Sequence, residues 1–495
     1  MTVEEAKAAP ATEGDRSLSV VALAAMVVGS MVGAGVFSLP RNFASGAGVL
    51  ATVIAWIVAG VGMLMLVFVF QALATHRPDL DAGIFAYAKA GFGNYIGFFS
   101  AFGYWASACV GNVTYWVLIG STLGSVLPAF GEGDTLLSVL VTSVMLWAFH
   151  LFVLRGTRNA AALNTIVTIA KLVPILLFLV VAAVVGTHWE TFRLNLWGGA
   201  EPSVGELFSQ VRSTMLITVF VFLGVEGATV YSRYARRRED IGRATVTGFL
   251  GVLAVFALVT LVSFAALPAA ELRGLRQPSM AGVFGEVVGT WGAVLINVGL
   301  VVSVLGAYLA WTLMSSEVLF QAARQEDAPR FLTRVNRHGT PWMALLFTSG
   351  LIQVFLVITM FSDDALTSML ELCSSLSLIP YFLTALYAVQ FGIPKWSRGA
   401  HGGVEPPGAD GGLSRGQLVA AFVAVAYTVF LVIAAGPQYL LLSFLIYAPA
   451  TILYVIARRE RQLRVFTGPE LVLCVVAVAG AVAALVGLIT GFITL

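Results

Sequence analysis

The sequence predicts an all-α polytopic membrane protein, and its composition and hydropathy both indicate this class. Of the 495 residues, 59% are hydrophobic and 11% carry a charge, and the mean hydropathy is +0.91. Apolar stretches of about 20 residues, long enough to span a bilayer as a helix, recur along almost the whole chain. Each span must be helical because lipid offers the backbone no hydrogen-bond partner. A net charge of +2 is too small to indicate a nucleic-acid partner.

Thirteen spans are predicted from these stretches, with twelve as the alternative if the last stretch does not cross the bilayer. They cover residues 18–40, 48–74, 94–127, 135–154, 161–186, 208–232, 244–268, 284–320, 341–361, 365–391, 416–436, 439–457 and 470–493. The polar segment 1–17 is predicted as a tail and the Gly/Pro-rich segment 392–415 as a loop. Residues 416–495 are predicted to form accessory C-terminal spans.

Basic residues predict the orientation in the membrane. If the N-terminus is inside, most of the 28 lysine and arginine residues fall in inner segments, among them Arg236, Arg237 and Arg238. The first residues are polar and partly acidic, unlike a signal peptide. We therefore expect a multi-pass protein with a cytoplasmic N-terminus, in which the tail and the loop 392–415 are cytoplasmic.

Glycines interrupt the first and sixth spans at matching places. The first contains GSMVGAGVFSLP and the sixth contains MLITVFVFLGVEGATVYS. Glycine is about 1 kcal/mol poorer than alanine in a helix interior. Interruptions at corresponding positions of two halves are typical of transporters built from inverted repeats, in which the broken helices form the binding site. We therefore predict a five-plus-five inverted repeat over residues 18–186 and 208–391. The alternative is close helix packing through small residues.

Three charged side chains, Lys171, Glu226 and Glu371, lie in the interior of predicted spans and away from the span ends, where such groups are costly and often functional. Glu226 can bind a cationic substrate, carry a proton or hold a gate. Lys171 can supply a fixed or a switchable positive charge. Glu371 can attract cationic substrate from an outer vestibule. Structural alternatives stay open for each: a carboxyl bonded to a neighbouring helix, a lysine that tethers carbonyls of a broken helix, and a carboxylate at the wet margin of a helix.

Signatures of enzymes, metals and cofactors are absent from the sequence. It contains no P-loop, no HExxH and no Cys/His metal spacing, so we expect no enzyme, no metal and no cofactor. The three cysteines are far apart and predict no disulfide. Aromatic side chains within spans, such as Trp311, can pack or bind a cation on the ring face. Asn112 can bond a neighbouring helix or a substrate.

Four stretches carry a family resemblance: GSMVGAGVFSLPRNFAS, AYAKAGFGNYIGFFSAFGYW, VRSTMLITVFVFLGVEGATVYSRYARRREDIGRATVTGF and LGAYLAWTLMSSE. They resemble the basic amino acid/polyamine antiporter family of the amino acid–polyamine–organocation superfamily, and within it bacterial arginine/ornithine antiporters. The similarity runs in order from about residue 18 to beyond 390. It implies the five-plus-five repeat with broken first and sixth spans, and a location in the bacterial cytoplasmic (inner) membrane. A homodimer is left open.

The resemblance also implies which residues bind substrate. The backbone at Gly33, Ala34 and Gly35 corresponds to the site of the α-carboxylate, and Gly224 to the break whose carbonyls face the α-amino group. The substrate side chain is placed near Ser107, Ala108, Asn112, Trp311 and Cys373, with its guanidinium stacked on the tryptophan.

A gate and a fixed charge follow from the same resemblance. Tyr104, Glu226 and Tyr381 correspond to an inner gate held by hydrogen bonds. Lys171 corresponds to a lysine whose ammonium occupies the place of a sodium ion in other superfamily members. Two positions, Phe220 and Glu371, depart from the family pattern. Phe220 replaces a tryptophan that covers the substrate.

The second departure is Glu371, an acid where a neutral residue is expected. We predict a secondary active transporter that exchanges small-molecule amino acids by alternating access, with arginine and ornithine as the expected pair. Because both departures touch the pocket, lysine or another amino acid–amine pair is an alternative. A proton-coupled symporter with Lys171 as the titrating group is a second, and a membrane nutrient sensor on a transporter fold is a third.

Overall fold

The computed structural model describes residues 20–77, 79–80, 84–156, 160–226, 238–393 and 412–493. Their regular structure is helical, and none of these residues lies in a β-strand. In chain order the helices are α1 (Val20–Met31), α2 (Gly35–Gly46), α3 (Val49–His76), α4 (Ile84–Phe92), α5 (Asn94–Gly124), α6 (Leu136–Leu154), α7 (Ala160–Val185), α8 (Trp189–Leu194), α9 (Val204–Phe222), α10 (Arg238–Ala266), α11 (Ala269–Gly274), α12 (Ser279–Val288), α13 (Thr290–Arg324), α14 (Trp342–Ile358), α15 (Ala365–Gly392), α16 (Arg415–Glu460) and α17 (Gly468–Ile489). The prediction of an all-α polytopic protein is confirmed.

Each of the thirteen predicted spans overlaps a helix among the described residues. Helix α16 covers the eleventh and twelfth predicted spans. Gly436, at φ +72°, forms a kink between them. Among the described residues, eight helices are long and apolar enough to cross a bilayer, or nine if the bent pair α1–α2 counts as one crossing. The predicted eighth span begins too early. Residues 284–288 belong to α12, and Gly289, at φ +85°, separates α12 from α13.

Three predicted segments lie wholly or partly outside the described residues. They are the tail 1–17, most of the loop 392–415, and the part of the sixth span that follows Glu226.

Helix α5 lies at the centre of the bundle. It packs against α13, α14 and α15 and, near its start, against α4. Nearly all of its side chains from Tyr95 to Thr122 are buried. A glycine also permits a close contact with α16, because a Cβ at Gly103 would lie 1.8 Å from the Tyr447 hydroxyl. One wall of the site described below is therefore built on a closely packed helix.

The first and sixth spans are interrupted, and the two interruptions touch. Helices α1 and α2 meet at an angle of 51°, and α9 ends at Phe222, after which Gly224 adopts φ +100°. Ser30 Oγ donates to the carbonyl of Gly224 at 3.0 Å. A Cβ at Gly224 would lie 2.6 Å from the Ser30 carbonyl oxygen, so both the backbone angle and the close approach require glycine. The glycine pattern therefore predicted the bend in the first span and the unwound end of α9 correctly.

Helices α16 and α17 lie at the side of the bundle. Helix α16 packs against α15 and α3, whereas α17 packs mainly on α16. The buried residues of α17 are only Ala477, Ala484 and Gly487, so most of its surface faces outward. An accessory role for these helices stays a prediction.

Ionic contacts join the connections at one end of the bundle, here called the Lys89 end. Lys89 of α4 donates to both carboxylate oxygens of Asp327, at 2.7 and 2.9 Å. Arg77, which follows α3, pairs with Asp79 at 2.6 Å and donates to the Tyr387 hydroxyl of α15. Helix α4 is thus joined to the loop after α13, and the residue after α3 is joined to the last part of α15.

Burial makes the Lys89–Asp327 pair sensitive to pH. It raises the pKa of Asp327 from 3.8 to about 6, against the opposing effect of Lys89. The folded protein therefore holds the Asp327 proton more tightly than the unfolded chain does. The contribution of this group to stability is greatest below about pH 4 and is lost as the pH rises through about 6.

We expect Asp327→Asn to remove the loss of folding stability that ionisation of Asp327 causes at higher pH, up to about 3 kcal/mol, because the amide cannot ionise. The variant also lacks the charge-assisted bonds to Lys89, so its overall stability should fall. Between about pH 4 and pH 7, however, its thermal midpoint in detergent should decline less than that of the wild type. Asp363→Asn, at an exposed position, is the control. A pH dependence identical to that of the wild type would contradict the expectation.

Candidate functional site

A small cavity lies where the two interrupted spans meet α5, α13 and α15. Its lining residues are Ser30, Met31, Gly33, Ala34, Gly35, Val36, Ala108, Gly111, Tyr115, Phe220, Val221, Leu223, Trp311 and Cys373. Seven of the ten predicted substrate-binding residues are among them. Ser107, Asn112 and Gly224 do not line the cavity but lie next to residues that do.

Two helix ends face this cavity with opposite polarity. Helix α2 begins at Gly35, and its N-cap residue, Ala34, provides no capping side chain. The first amides of a helix have no partner within the helix and carry a partial positive charge. Helix α9 ends at Phe222, where the last carbonyls carry the opposite partial charge. One cavity thus offers donors for a carboxylate and acceptors for an ammonium group.

Glycine at two positions keeps this space open. A Cβ at Gly35 would lie 2.7 Å from Val221 Cγ1 and 3.0 Å from Phe220 Cδ1. A Cβ at Gly33 would lie 3.2 Å from the Tyr115 hydroxyl. Contacts below 3.0 Å force neighbours to move, so a side chain at residue 35 would displace the wall formed by α9.

Aromatic rings and a sulfur atom bound the rest of the cavity. A Cβ at Gly111 would lie 3.1 Å from Cys373 Sγ and 4.0 Å from Phe220 Cε2. On the other side, a Cβ at Gly224 would lie 3.4 Å from Trp311 Cζ2. Ring faces of this kind attract cations by about 0.5–2 kcal/mol, depending on desolvation.

Ser107 and Cys373 join α5 to α15 beside the cavity. Ser107 Oγ donates to the Cys373 carbonyl at 2.9 Å, and Cys373 Sγ donates to the Ser107 carbonyl at 3.1 Å. Ser107 also bonds to the Ser377 hydroxyl. Ser107 therefore acts in this conformation as an interhelical link, and its predicted contact with substrate stays a prediction.

Asn112 is fully buried next to Gly111, and neither atom of its amide has a hydrogen-bond partner. The alternative of a helix–helix hydrogen bond is thus not realised in this structure. A buried amide without partners is costly, by about 1–3 kcal/mol. The side chain is consequently available to a group that enters from the cavity.

The carboxylate of Glu226 joins three elements on the Lys89 side of the cavity. Tyr104 of α5 donates to Oε1 at 2.5 Å, and Tyr381 of α15 donates to Oε2 at 2.8 Å. The Gly224 amide donates to Oε2 at 3.2 Å. All three side chains are buried. This Glu226 cluster (Tyr104, Glu226 and Tyr381) forms the layer between the cavity and the Lys89 end, the place predicted for an inner gate.

Lys171 contacts the first span just before its bend. The side chain is 2% exposed, and Nζ donates to the carbonyl of Gly29 in α1. A positive charge near the C-terminal end of a helix is favourable because it complements the helix dipole. This geometry realises the tethering alternative. Whether the amine also titrates stays a prediction.

Glu371 lies outside both the cavity and the Glu226 cluster. Its carboxyl is beside the Tyr439 hydroxyl of α16. A separate depression at the end opposite Lys89 is lined instead by four other acids and one arginine. These are Glu132, Asp134, Asp363, Asp364 and Arg41. The vestibule role of Glu371 stays a prediction, and the depression supplies acids that the sequence analysis did not select.

Several lining residues were missed from the sequence. They are Ser30, Met31, Val36, Gly111, Tyr115, Val221 and Leu223. Ser30 and Met31 lie inside the glycine-rich stretch that marked the site, so proximity could have selected them. Tyr115 lies seven residues after Ala108, on the same face of a helix, but periodicity cannot show which face meets the cavity.

A helical membrane bundle with a small cavity between two interrupted spans defines a carrier for a small solute. The sequence profile described as amino acid permease matches residues 18–457. The chain belongs to this family; it is a transporter and not an enzyme, as predicted.

The chain resembles bacterial transporters over nearly its whole length. It is 46% identical over 489 residues to an arginine/ornithine antiporter of Pseudomonas aeruginosa, and the matched region covers 98% of this chain and 99% of the relative. It is 41% identical over 485 residues to an L-lysine transport protein of Corynebacterium glutamicum, with 97% of each covered. It is 36% identical over 454 residues to an arginine/agmatine antiporter of Chlamydia abortus, with 91% of each covered. The resemblance to arginine/ornithine antiporters is confirmed.

We expect Gly35→Ala to reduce uptake of labelled amino acid into vesicles by at least about tenfold, because the added methyl group overlaps Val221 and Phe220 and overpacks the site. Gly251→Ala is the matched control, since a Cβ at this position of α10 meets no atom within 4 Å. Equal uptake by the two variants at equal protein amounts would show that the contact at residue 35 is unimportant.

We expect Tyr381→Phe to open the Glu226 cluster. In a background with Cys109→Ala and Cys474→Ala, a small thiol reagent applied from the Lys89 end should label Cys373 faster than in the parent. Tyr447→Phe is the control, because it also deletes a buried hydroxyl bond, to the Leu376 carbonyl at 3.2 Å. Both changes should cost about 1 kcal/mol of stability. Faster labelling in both variants would indicate general loosening instead.

Proposed function

We propose that this protein exchanges a cationic amino acid for a related cation across the bacterial cytoplasmic membrane, with arginine and ornithine as the pair. Relatives named as arginine/ornithine and arginine/agmatine antiporters support exchange of basic compounds. The relative named as an L-lysine transport protein supports lysine as a further substrate.

The observation that carries this proposal is the pair of opposed helix ends at one cavity. A free amino acid carries a carboxylate and an ammonium group a few ångströms apart. The amides of Gly33, Ala34 and Gly35 suit the carboxylate, and the carbonyl end of α9 suits the ammonium. The remaining lining, Trp311, Phe220 and Cys373, is left for the substrate side chain.

The proposed orientation places the N-terminus and the Lys89 end in the cytoplasm. The acidic depression at the other end then faces outward, where its carboxylates raise the local concentration of cations. The Glu226 cluster closes the inner side in this conformation. Release of substrate to the cytoplasm requires the tyrosines of α5 and α15 to part from Glu226, as one helix group rocks against the other.

Two repeats, residues 18–186 and 208–391, are part of the proposal. Each begins with an interrupted span, and the two interruptions meet through the bond from Ser30 to Gly224. An equivalent pair of broken helices lets each repeat present one helix end to the substrate.

The protonation behaviour of Lys171 distinguishes two coupling mechanisms. If its ammonium keeps the proton, it is a fixed charge that stabilises the carbonyl end of α1, and flux requires a counter-substrate. A buried lysine can also release its proton when the surroundings change, which would permit proton-coupled symport. The contact with the Gly29 carbonyl favours the fixed charge, because the partial negative charge at the carbonyl end of α1 stabilises the ammonium form of the lysine.

The test is uptake of labelled arginine into liposomes that contain the purified protein. We expect uptake into vesicles loaded with ornithine and almost none into empty vesicles, with Gly35→Ala as the inactive control. Lysine inside should partly replace ornithine. Equal uptake into empty vesicles under an imposed pH gradient would overturn exchange in favour of symport, and Lys171→Met would then be measured for loss of proton coupling. Uptake of none of the three basic amino acids would reject the substrate class.

A further inference from the structure

Arginines outnumber acids on two neighbouring connections at the Lys89 end. The segment 324–340, after α13, and the segment 458–470, between α16 and α17, together contain eight arginines and four acids. Six of the arginines are exposed, and in the described part of the chain none of the six forms an ion pair: Arg324, Arg330, Arg334, Arg337, Arg459 and Arg464. This part of the surface is therefore strongly positive and not neutralised by the protein itself.

The two connections form one continuous surface. The Arg330 amide donates to Glu460 Oε2 at 2.9 Å, which places Arg330 beside the end of α16. Arg461, whose side chain is 7% exposed, donates to the carbonyls of Ala323 at 3.2 Å and Ala328 at 3.3 Å. Buried Arg461 thus holds the two connections together, and the exposed arginines of both lie on the same side of the protein.

The acids of this surface are engaged with other groups. Glu460 and Glu470 accept hydrogen bonds from backbone amides, at 2.9 and 2.7 Å, and Asp327 accepts from the lysine of α4. The guanidinium groups of Arg330 and Arg459 make no hydrogen bond to the described residues. These two groups are consequently free to bind an anion from outside the protein.

An apolar face of α17 begins next to these arginines. Leu471, Val472 and Val475, in its first turns, are 52%, 62% and 60% exposed. Helix α17 packs mainly on α16, so this face is open at the edge of the bundle. Arg464 lies just before α17, and Arg458 Nε donates to its carbonyl at 3.0 Å, which turns the chain back toward the end of α16. Positive charge and apolar surface therefore adjoin each other.

We propose that Arg330, Arg459 and Arg464, here called the arginine surface, bind the headgroup of an anionic phospholipid whose acyl chains lie along the first turns of α17. A guanidinium group forms two parallel hydrogen bonds with phosphate oxygens. Basic pockets beside spanning helices on the cytoplasmic side of a membrane suit anionic headgroups. The proposal is independent of the transported substrate, and it uses the proposed orientation only to assign the lipid to the inner leaflet.

The apolar face favours a lipid over an acidic segment of another protein. Both partners match the charge, but only a lipid also covers the exposed side chains of α17 from within the bilayer. A headgroup between Arg330 and Arg459 would bridge the two connections, because one arginine comes from each. Bound lipid should therefore stabilise the folded protein.

The test measures binding of fluorescent phosphatidylglycerol to the delipidated full-length protein in neutral detergent. We expect Arg330→Gln and Arg459→Gln each to weaken this binding about fivefold. Phosphatidylcholine, which has no net charge, should bind more weakly and with equal affinity to all variants. Arg193→Gln is the matched control, because Arg193 is also exposed but lies on α8. The residues after α8 bond to the start of α3, the end of that helix opposite Arg77.

Thermal stability supplies a second readout. Without lipid, Arg330→Gln and Arg459→Gln should melt at the temperature of the wild type, since neither side chain bonds to the described residues. Phosphatidylglycerol should raise the thermal midpoint less in these variants than in the wild type or in Arg193→Gln. Raising the salt concentration should reduce the rise in the wild type, because exposed charges are screened.

Four results would overturn the proposal. Equal binding of the two lipids by the wild type would show that charge is unimportant. Equal weakening by Arg193→Gln would show a general charge effect. Displacement of the lipid by an equal concentration of soluble glycerol phosphate would show that the surface binds a phosphate anion without the acyl chains. Tighter, arginine-dependent binding of polyglutamate would assign the surface to an acidic protein. Because no amino acid substrate is present, none of these results bears on the proposed function.

Discussion

The constraint on which this structure depends is that a backbone inside a membrane must satisfy its own polar groups. Helices α1 and α9 both stop short of crossing as continuous helices, and each stop exposes amides or carbonyls. The cost is tolerable only where those groups face protein or a polar cavity. The bond from Ser30 to the Gly224 carbonyl satisfies one of them and fixes the two breaks against each other. The remaining helix ends face the cavity, so the defect in the helices and the binding site are one feature.

The other buried polar groups are arranged around this feature. Lys171 bonds to Gly29 on the approach to the first break, and Glu226 accepts bonds from two tyrosines and an amide just after the second. Each charged side chain thus stabilises backbone or helices that would otherwise be free to separate. A carrier needs such contacts to be strong enough to close one side and weak enough to break in each cycle. Hydrogen bonds to a single carboxylate meet both conditions better than a packed apolar seam does.

Most of the fold was accessible from the sequence for a simple physical reason. Hydropathy identifies spans directly, because a long run of apolar residues is unstable in water and stable in the bilayer. Glycine within such a span marks a helix that can break, and this predicted the breaks at Gly33–Gly35 and at Gly224. The start of the eighth span was placed too early, because α12 is as apolar as a span although it is a short separate helix that ends at Gly289. Hydropathy does not distinguish a helix that lies beside the bundle from one that crosses it.

The sequence by itself determined the class of protein, the order of its helices and the positions where two of them unwind, since each follows from local composition. Tertiary structure alone decided which faces meet. Tyr115, Val221 and Gly111 line the cavity, whereas Ser107 is turned toward Cys373, and no periodicity in a uniformly apolar helix distinguishes these positions. Glu371 lies beside Tyr439 instead of in the acidic depression for the same reason. In a membrane helix almost every residue is apolar, so the pattern that shows the buried face of a soluble helix is missing, and only packing specifies it.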